Sequence, residues 1–182
     1  MIAVIPINTG STRLPGKNFK PLCRLPLVEW SLMLARCFYD RGNIWCVVRG
    51  ALDRNDEELL RHYSDHVVSE PALGEETSAL NAVLTVPLEA RSYGALLLQP
   101  TYVPRTRRQV EWFIRAAAAE GNTRTVTPED GQPNGNLYYI NDASKGYELD
   151  LRDHGVGVDI NTLEDFQRAE TLMAQRLATA FV

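Results

Sequence analysis

Residues 2–22, IAVIPINTGSTRLPGKNFKPL, decide how the chain is read. The run from Ile2 to Ile7 is apolar at nearly every position, the pattern of a strand covered on both faces. It opens into a loop carrying Gly10, Pro15, Gly16, Pro21 and three cations, Arg13, Lys17 and Lys20. LVEWSLMLARCFY follows, with helical length and an apolar face, so a helix starts near Pro26 or Leu27. Two readings fit the loop between them: a solvated connection, or a cradle for a triphosphate. In doubly wound folds, loops at the carboxyl ends of strands form the ligand crevice. Gly10 and Gly16 have no Cβ to hold an anion away, and successive backbone N–H groups make an anion nest. GSTRLPGKN lacks the Walker A spacing, and on spacing alone neither reading wins.

The alternation continues along the chain. NIWCVV, HVVS and GALLLQP read as strands, and DRNDEELLRHY, SALNAVLTV and TRRQVEWFIRAAAA as helices. Thr106 followed by Gln109 is a capping-box signature. Apolar strands separated by helices imply an α/β fold, a three-layer α/β/α sandwich around a mostly parallel sheet. After Gly121 the rhythm changes. TRTVTP, NLYYIN and GVGVDI follow one another without helices, with turn signals in EDGQPNG, which implies a mixed sheet or a small C-terminal hairpin region. In TLEDFQRAETLMAQRLA, Phe166, Ala169, Met173 and Leu177 fall on one face, predicting an amphipathic helix packed back on the sheet.

The 182 residues suit a single domain over 1–182. With 45% hydrophobic and 23% charged residues the chain is globular rather than disordered. A formal charge of -4 argues against a nucleic-acid partner, and no apolar stretch reaches the length of a membrane span. MIAVIPIN is too short for a signal segment. Cys23, Cys37 and Cys46 show no CxxC spacing, which fits reduced thiols in a cytoplasmic protein, with Cys46 in the core. His62 and His66 stand four apart, but the helix ends near Tyr63 and a strand begins at His66, so their rings should diverge. His154 reads as a turn residue, and Trp30, Trp45 and Trp112 as core. Arg105, Arg107 and Arg108 either face anions or form a solvated first helical turn.

The closing stretch GVGVDIN alternates Val156, Val158 and Ile160 with Gly157, Asp159 and Asn161. Period two places Asp159 and Asn161 on one face. A carboxylate there suits a hard divalent ion shared with phosphate oxygens. Asn161 or Thr162, with Asn161 preferred, caps the last helix, and Asp165 lies in its first turn.

IPINTGSTRLPGKNFKPLCRLPLVEWSL resembles the opening of the sugar-activating cytidylyltransferases of the acylneuraminate, nonulosonate and octulosonate type, which runs IPARxGSxRxPxKNxxPLxGxPLxxW. LLLQPTYVPRT is similar to their LLQPTSPLR segment, PNGNLYYI to their NGxxY(I/V) strand, and VDINTLEDFQRAE to their IDIDTPEDFxxAE close. The resemblance spans the chain and implies a Rossmann-like sheet of the nucleotide-diphospho-sugar transferase type. It also implies transfer of CMP from CTP to an acidic sugar with Mg²⁺ and release of pyrophosphate, a step that supplies cell-surface polysaccharide. On that resemblance Arg13 and Lys17 hold the phosphates and are the catalytic cations. Asn8, Gly10, Ser11 and Asn18 contact the nucleotide, Gln99 and Arg105 the acceptor, and Asp159 the metal. It implies a homodimer too, with the dimerisation arm between Arg105 and Asp159 shortened.

Four departures stand out. Asn8 replaces an arginine of the family pattern, Asn161 its second closing carboxylate, Glu70 the arginine after the third strand, and Tyr102-Val103 a Ser-Pro pair. A neutral amide is a poorer Mg²⁺ ligand than a carboxylate. These departures keep a second reading open, a nucleotide-binding protein of the same fold with lost or weakened catalysis.

Overall fold

The apolar N-terminal run forms β1 (Ile2–Asn8), and its period of two divides the side chains between the faces of a sheet. Ala3, Ile5 and Ile7 join one buried cluster, Ile2 and Val4 another. A computed structural model of the chain describes residues 1–71, 79–126, 133–141, 149–152 and 157–179. After β1 come the two-residue strands β2 (Pro21–Leu22) and β3 (Leu25–Pro26), then α1 (Leu27–Arg36), β4 (Ile44–Arg49), α2 (Arg54–Tyr63) and β5 (His66–Ser69). Next are α3 (Ala79–Thr85), α4 (Leu88–Arg91), β6 (Ala95–Leu98), β7 (Tyr102–Val103) and α5 (Arg107–Glu120). The chain closes with β8 (Thr123–Val126), β9 (Pro133–Ile140), β10 (Leu149–Arg152), β11 (Val158–Asp159) and α6 (Leu163–Thr179).

Seven strands form the main sheet in the order β10-β8-β9-β6-β1-β4-β5. β1 runs parallel to β4 along Ala3↔Ile44 to Asn8↔Arg49, and β4 runs parallel to β5. On its other side β1 pairs with β6 only from Ile2↔Ala95 to Val4↔Leu97. β9 is antiparallel to both β6 and β8, and β10 is parallel to β8. The strands after Gly121 therefore extend a mixed sheet, with the antiparallel β8–β9 pair built into it.

The layers follow from which cluster each helix feeds. Val28, Leu32 and Ala35 of α1, Leu60 of α2, and Val110, Phe113 and Ala117 of α5 cover one face. Ala82 and Val83 of α3 pack with Val4, Val47 and Leu97 on the other. Thr106 caps α5 in a complete capping box with Gln109, as the sequence implies.

Two expectations need correction. α6 buries Phe166, Ala169 and Met173 as its periodicity requires, but against Leu14, Leu22, Leu27, Val103 and Val158 rather than against the main sheet. These partners lie on the β1–α1 connection, at the first residue of α1 and on β7 and β11, whose antiparallel pairing (Val158↔Val103, Asp159↔Tyr102) forms a separate ribbon. The helix packs across the β1–α1 connection. Trp112, expected in the core, is 45% exposed on α5. Trp45 is buried, and Trp30 is half-buried with its indole N–H donating to the Leu22 carbonyl. Cys46 is core, and burial raises its thiol to about 12. The two histidines diverge: His62 meets Tyr63 edge-on, while His66 stacks on Trp45. His154 lies outside the described residues.

Candidate functional site

From β1 the chain passes to β4 and β5 on one side, then returns to β6 on the other. The crevice beyond the carboxyl end of β1 is thus a topological switch point, where open α/β sheets bind ligands. β1 also outruns its pairing with β6, which ends at Val4, and Pro6 has no N–H to extend it. A cleft of ≈ 590 Å³ opens here. Asn8, Gly10, Ser11, Arg13, Lys17 and Asn18 of the loop line it, with Gln99 after β6 and Asp159 of β11. Of the residues singled out from the sequence for the ligand, Gly16, Lys20 and Arg105 do not line it.

The loop is fixed from inside. Gly16 sits at φ 65, in the left-handed region, and starts the 3₁₀ turn Lys17–Phe19. A Cβ on Gly16 would meet nothing within 4 Å, and Gly16 does not line the cleft. Its glycine therefore serves backbone conformation rather than close approach to an anion. That turn drives Lys17 and Asn18 inward: they are 8% and 2% exposed. Lys17 Nζ donates to the Ile160 carbonyl at 2.8 Å, tying the loop to the segment after β11. Burial pushes the Lys17 ammonium below its ordinary value; Asp159 pulls it back, Arg13 lowers it further and Asp165 raises it. A partly desolvated cation beside a cleft gains most from an incoming anion. Arg13 is exposed and makes no ion pair among the described residues, whereas Lys20 turns away, its Nζ 5.5 Å from the centre of the Phe166 ring. Asn18 donates its Nδ2 to the Asn8 carbonyl at 2.9 Å, and its Oδ1 is buried with no hydrogen-bond partner. A ligand hydroxyl would satisfy that oxygen.

Across the cleft Asp159 is exposed and oriented by two neutral donors. Thr101 Oγ1 donates to Oδ1 at 3.0 Å, and Asn161 Nδ2 to Oδ2 at 2.9 Å. Asp159 and Asn161 share a face, as the period of two implies. The cap of α6 is Thr162 rather than Asn161. Its hydroxyl accepts from the Asp165 N–H at 3.2 Å, and Asp165 Oδ2 accepts from the Asn161 and Thr162 amides. The cap moves one residue along because Asn161 spends its side chain on Asp159.

Arg105 does not enter the cleft. Its guanidinium donates to Asn136 Oδ1 at 2.6 Å, Ser31 Oγ at 3.2 Å and the Gln99 carbonyl. It ties α1, β9 and the loop after β6 together, and so sets the backbone of Gln99.

Arg49 and Thr101 are among the lining residues that escaped the sequence reading. Arg49 ends β4 opposite Asn8, and its Nη2 lies 3.5 Å from Glu70 Oε1. The Glu70 side chain is 5% exposed, so the anion standing where the family pattern has an arginine is buried with a cationic partner. Gly50, at φ 95, lets Thr9 pack over the strand end, where Thr9 N and Oγ1 both donate to the Arg49 carbonyl. A Cβ on Gly50 would collide with the Thr9 hydroxyl.

The donors test the divalent ion. No cluster of three His, Cys, Asp or Glu side chains occurs among the described residues. Mg²⁺ is ordinarily held by one or two carboxylates together with substrate phosphates, and Asp159 fits the single-carboxylate case. No helix of the described residues is long and apolar enough to cross a membrane.

No family model and no curated protein matches the chain. Solved structures do. A CMP:2-keto-3-deoxy-manno-octonic acid synthetase complexed with CTP aligns over 97% of this chain and 100% of its own, with TM-score 0.65 and 14% identity. A cytidylyltransferase from Leptospira borgpetersenii aligns over 96% and 86%, with TM-score 0.67 and 13% identity. The Mycobacterium tuberculosis protein Rv0371c, in complex with manganese, aligns over 93% and 98%, with TM-score 0.61 and 14% identity. The chain thus shares the α/β fold of these structures, with its cleft at the switch point of the sheet.

Proposed function

We propose that the chain is a nucleotidyltransferase that moves CMP from CTP to an acidic sugar of the nonulosonate or octulosonate type and releases pyrophosphate. The observation that carries the reading is the convergence of buried Lys17, exposed Arg13 and the oriented Asp159 carboxylate in one cleft. The sugar hydroxyl attacks the α-phosphorus and gives up its proton to solvent water, the bond to the bridging oxygen breaks, and pyrophosphate leaves with that electron pair. Catalysis of this kind is mainly positioning and charge stabilisation. Lys17 holds the phosphate oxygens from the loop side, fixed by its bond to the Ile160 carbonyl. Arg13, free to swing, closes over the leaving group. Ser11 supplies a hydroxyl donor, Gly10, whose N–H donates to Asn8 Oδ1 at 2.9 Å, lets the backbone approach the nucleotide, and Asn18 Oδ1 accepts from it. Gln99 faces the acceptor, with Arg105 holding its backbone in place.

Asp159 would hold Mg²⁺ or a similar divalent ion. Such an ion neutralises phosphate charge when it binds with the nucleotide. The manganese bound by the Mycobacterium tuberculosis protein supports a divalent ion in this fold. A second reading, nucleotide binding with weak or absent turnover, rests on Asn161: the amide leaves the ion one carboxylate fewer than the family pattern.

The test is mass-spectrometric detection of a CMP-sugar after incubation with CTP, Mg²⁺ and a panel of acidic sugars. Product formation lost in Asp159→Asn and Lys17→Met supports transfer. Triphosphate binding without product across the panel supports the second reading, and no triphosphate binding refutes both.

A further inference from the structure

The reading above leaves Arg49 and Glu70 without a role, although both line the cleft. They sit at its β4–β5 end, whereas Asp159, Thr101 and Gln99 come from the β6 side. The loop with Lys17 lies between. Lys17 Nζ donates to the Ile160 carbonyl, next to Asp159, whereas the Glu70 carboxylate faces Arg49. The phosphates and the reacting end therefore belong on the Lys17–Asp159 side, because a triphosphate beside a buried carboxylate would be repelled. What remains for the Arg49–Glu70 end is the far part of the nucleotide, its base. Ala82 of α3, part of the apolar cluster on that face of the sheet, also lines the cleft.

We propose that Arg49 and Glu70 read the base edge of the nucleotide, selecting one that presents an amino group beside an acceptor ring nitrogen. The inference rests on the reading of the cleft as a nucleoside-triphosphate site. Ionised Glu70 only accepts hydrogen bonds and Arg49 only donates them. At 3.5 Å their contact is long, and Arg49 is the one hydrogen-bond donor to the Glu70 carboxylate among the described residues. The pair thus offers an acceptor next to a donor. Cytosine answers with its N4 amino group toward Glu70 and N3 toward Arg49. Uracil, held in the same pose by its ribose and phosphates, sets its O4 carbonyl against the carboxylate, and two buried acceptors then face each other. The geometry that makes Glu70 unfavourable beside a phosphate makes it a filter beside a base. Thr9 fixes the backbone from which Arg49 projects, its N–H and hydroxyl both donating to the Arg49 carbonyl.

The experiment measures MgCTP and MgUTP affinities by calorimetry for the wild type, Glu70→Gln, Arg49→Lys and Lys17→Met, each checked for cooperative unfolding. The wild type should prefer CTP by about 10-fold or more, in the range of one good paired contact. Glu70→Gln keeps the shape and can donate to a carbonyl, so the preference should collapse to about twofold. Arg49→Lys keeps the charge beside Glu70 but loses the fork, and should weaken CTP binding by about 10-fold while the fold persists. Binding that depends on Lys17, with no CTP preference or with one that survives Glu70→Gln, overturns this inference and spares the triphosphate reading. Absence of Lys17-dependent triphosphate binding overturns both.

Discussion

Lys17→Met separates ligand binding from folding. Lys17 is 8% exposed, and its Nζ makes a 2.8 Å bond to the Ile160 carbonyl. Burial holds its folded-state pKa below that of the unfolded chain, so at alkaline pH the unfolded state retains a proton that the folded state has lost. Stability should therefore rise with pH from the folded value of Lys17 up to the ordinary lysine value near 10.5. Below that window the buried charge subtracts from stability. Methionine fills similar space without charge and removes that slope. It also forfeits the bond to Ile160, at a cost of about 1 kcal/mol. The two effects oppose each other, and net stability at pH 7 should stay within about 1 kcal/mol of wild type. Triphosphate affinity has no such compensation. One charge-assisted contact to phosphate contributes about 1.5–3 kcal/mol, so the dissociation constant for MgCTP should rise about 10- to 150-fold. Wild-type affinity should also fall at alkaline pH as Lys17 deprotonates, with proton uptake on binding visible as a buffer-dependent heat. The assays are urea unfolding across pH and titration calorimetry. A folded Lys17→Met protein that binds MgCTP within about twofold of wild type would refute the assignment of Lys17 as a phosphate ligand.

Other outcomes follow from the same geometry. Thr101→Val removes the donor to Asp159 Oδ1 and should raise the Mg²⁺ concentration for half-maximal nucleotide binding by about 10-fold, read by calorimetry at varied Mg²⁺. Arg105→Ala should act chiefly on stability, costing about 1–3 kcal/mol by urea unfolding, because it removes the bonds to Asn136, Ser31 and the Gln99 carbonyl behind the cleft. Thr162→Ala breaks the cap of α6 and should cost about 1 kcal/mol in the same assay. Asp165, whose burial is outweighed by hydrogen bonds from Asn161 and Thr162, has a carboxyl held below the usual value. Its contribution is present above the unfolded pKa near 3.8 and is lost as pH falls through the lower folded value, so an acid titration of stability should flatten in Asp165→Ala.

Much of the fold can be read from local pattern. The unbroken apolar run of β1 and the capping box at Thr106 are short-range signals, and each marks its element correctly. The loop residues were legible because they are contiguous. What escaped depends on register. Arg49 is an ordinary polar strand end until β4 pairs with β1 residue for residue and sets Arg49 opposite Asn8. The partner of Lys17, the Ile160 carbonyl, lies 143 residues away and carries no side-chain signal at all. The resemblance assigns Arg105 to the acceptor, but Asn136 and Ser31, from distant parts of the chain, hold its guanidinium. α6 showed the right apolar face, yet nothing in that face says which surface it meets. The faces of the sheet are covered by α1, α2, α5 and α3, leaving α6 to the loop and the β7–β11 ribbon.

The central claim is that the cleft beyond β1 holds a nucleoside triphosphate, and titration of MgCTP into the wild-type protein tests it most directly. The account predicts saturable one-to-one binding that weakens in Lys17→Met and in Asp159→Asn while both variants unfold cooperatively. Absence of saturable binding for CTP, ATP, GTP and UTP alike, by a folded wild-type protein with Mg²⁺ or Mn²⁺ present, would contradict it.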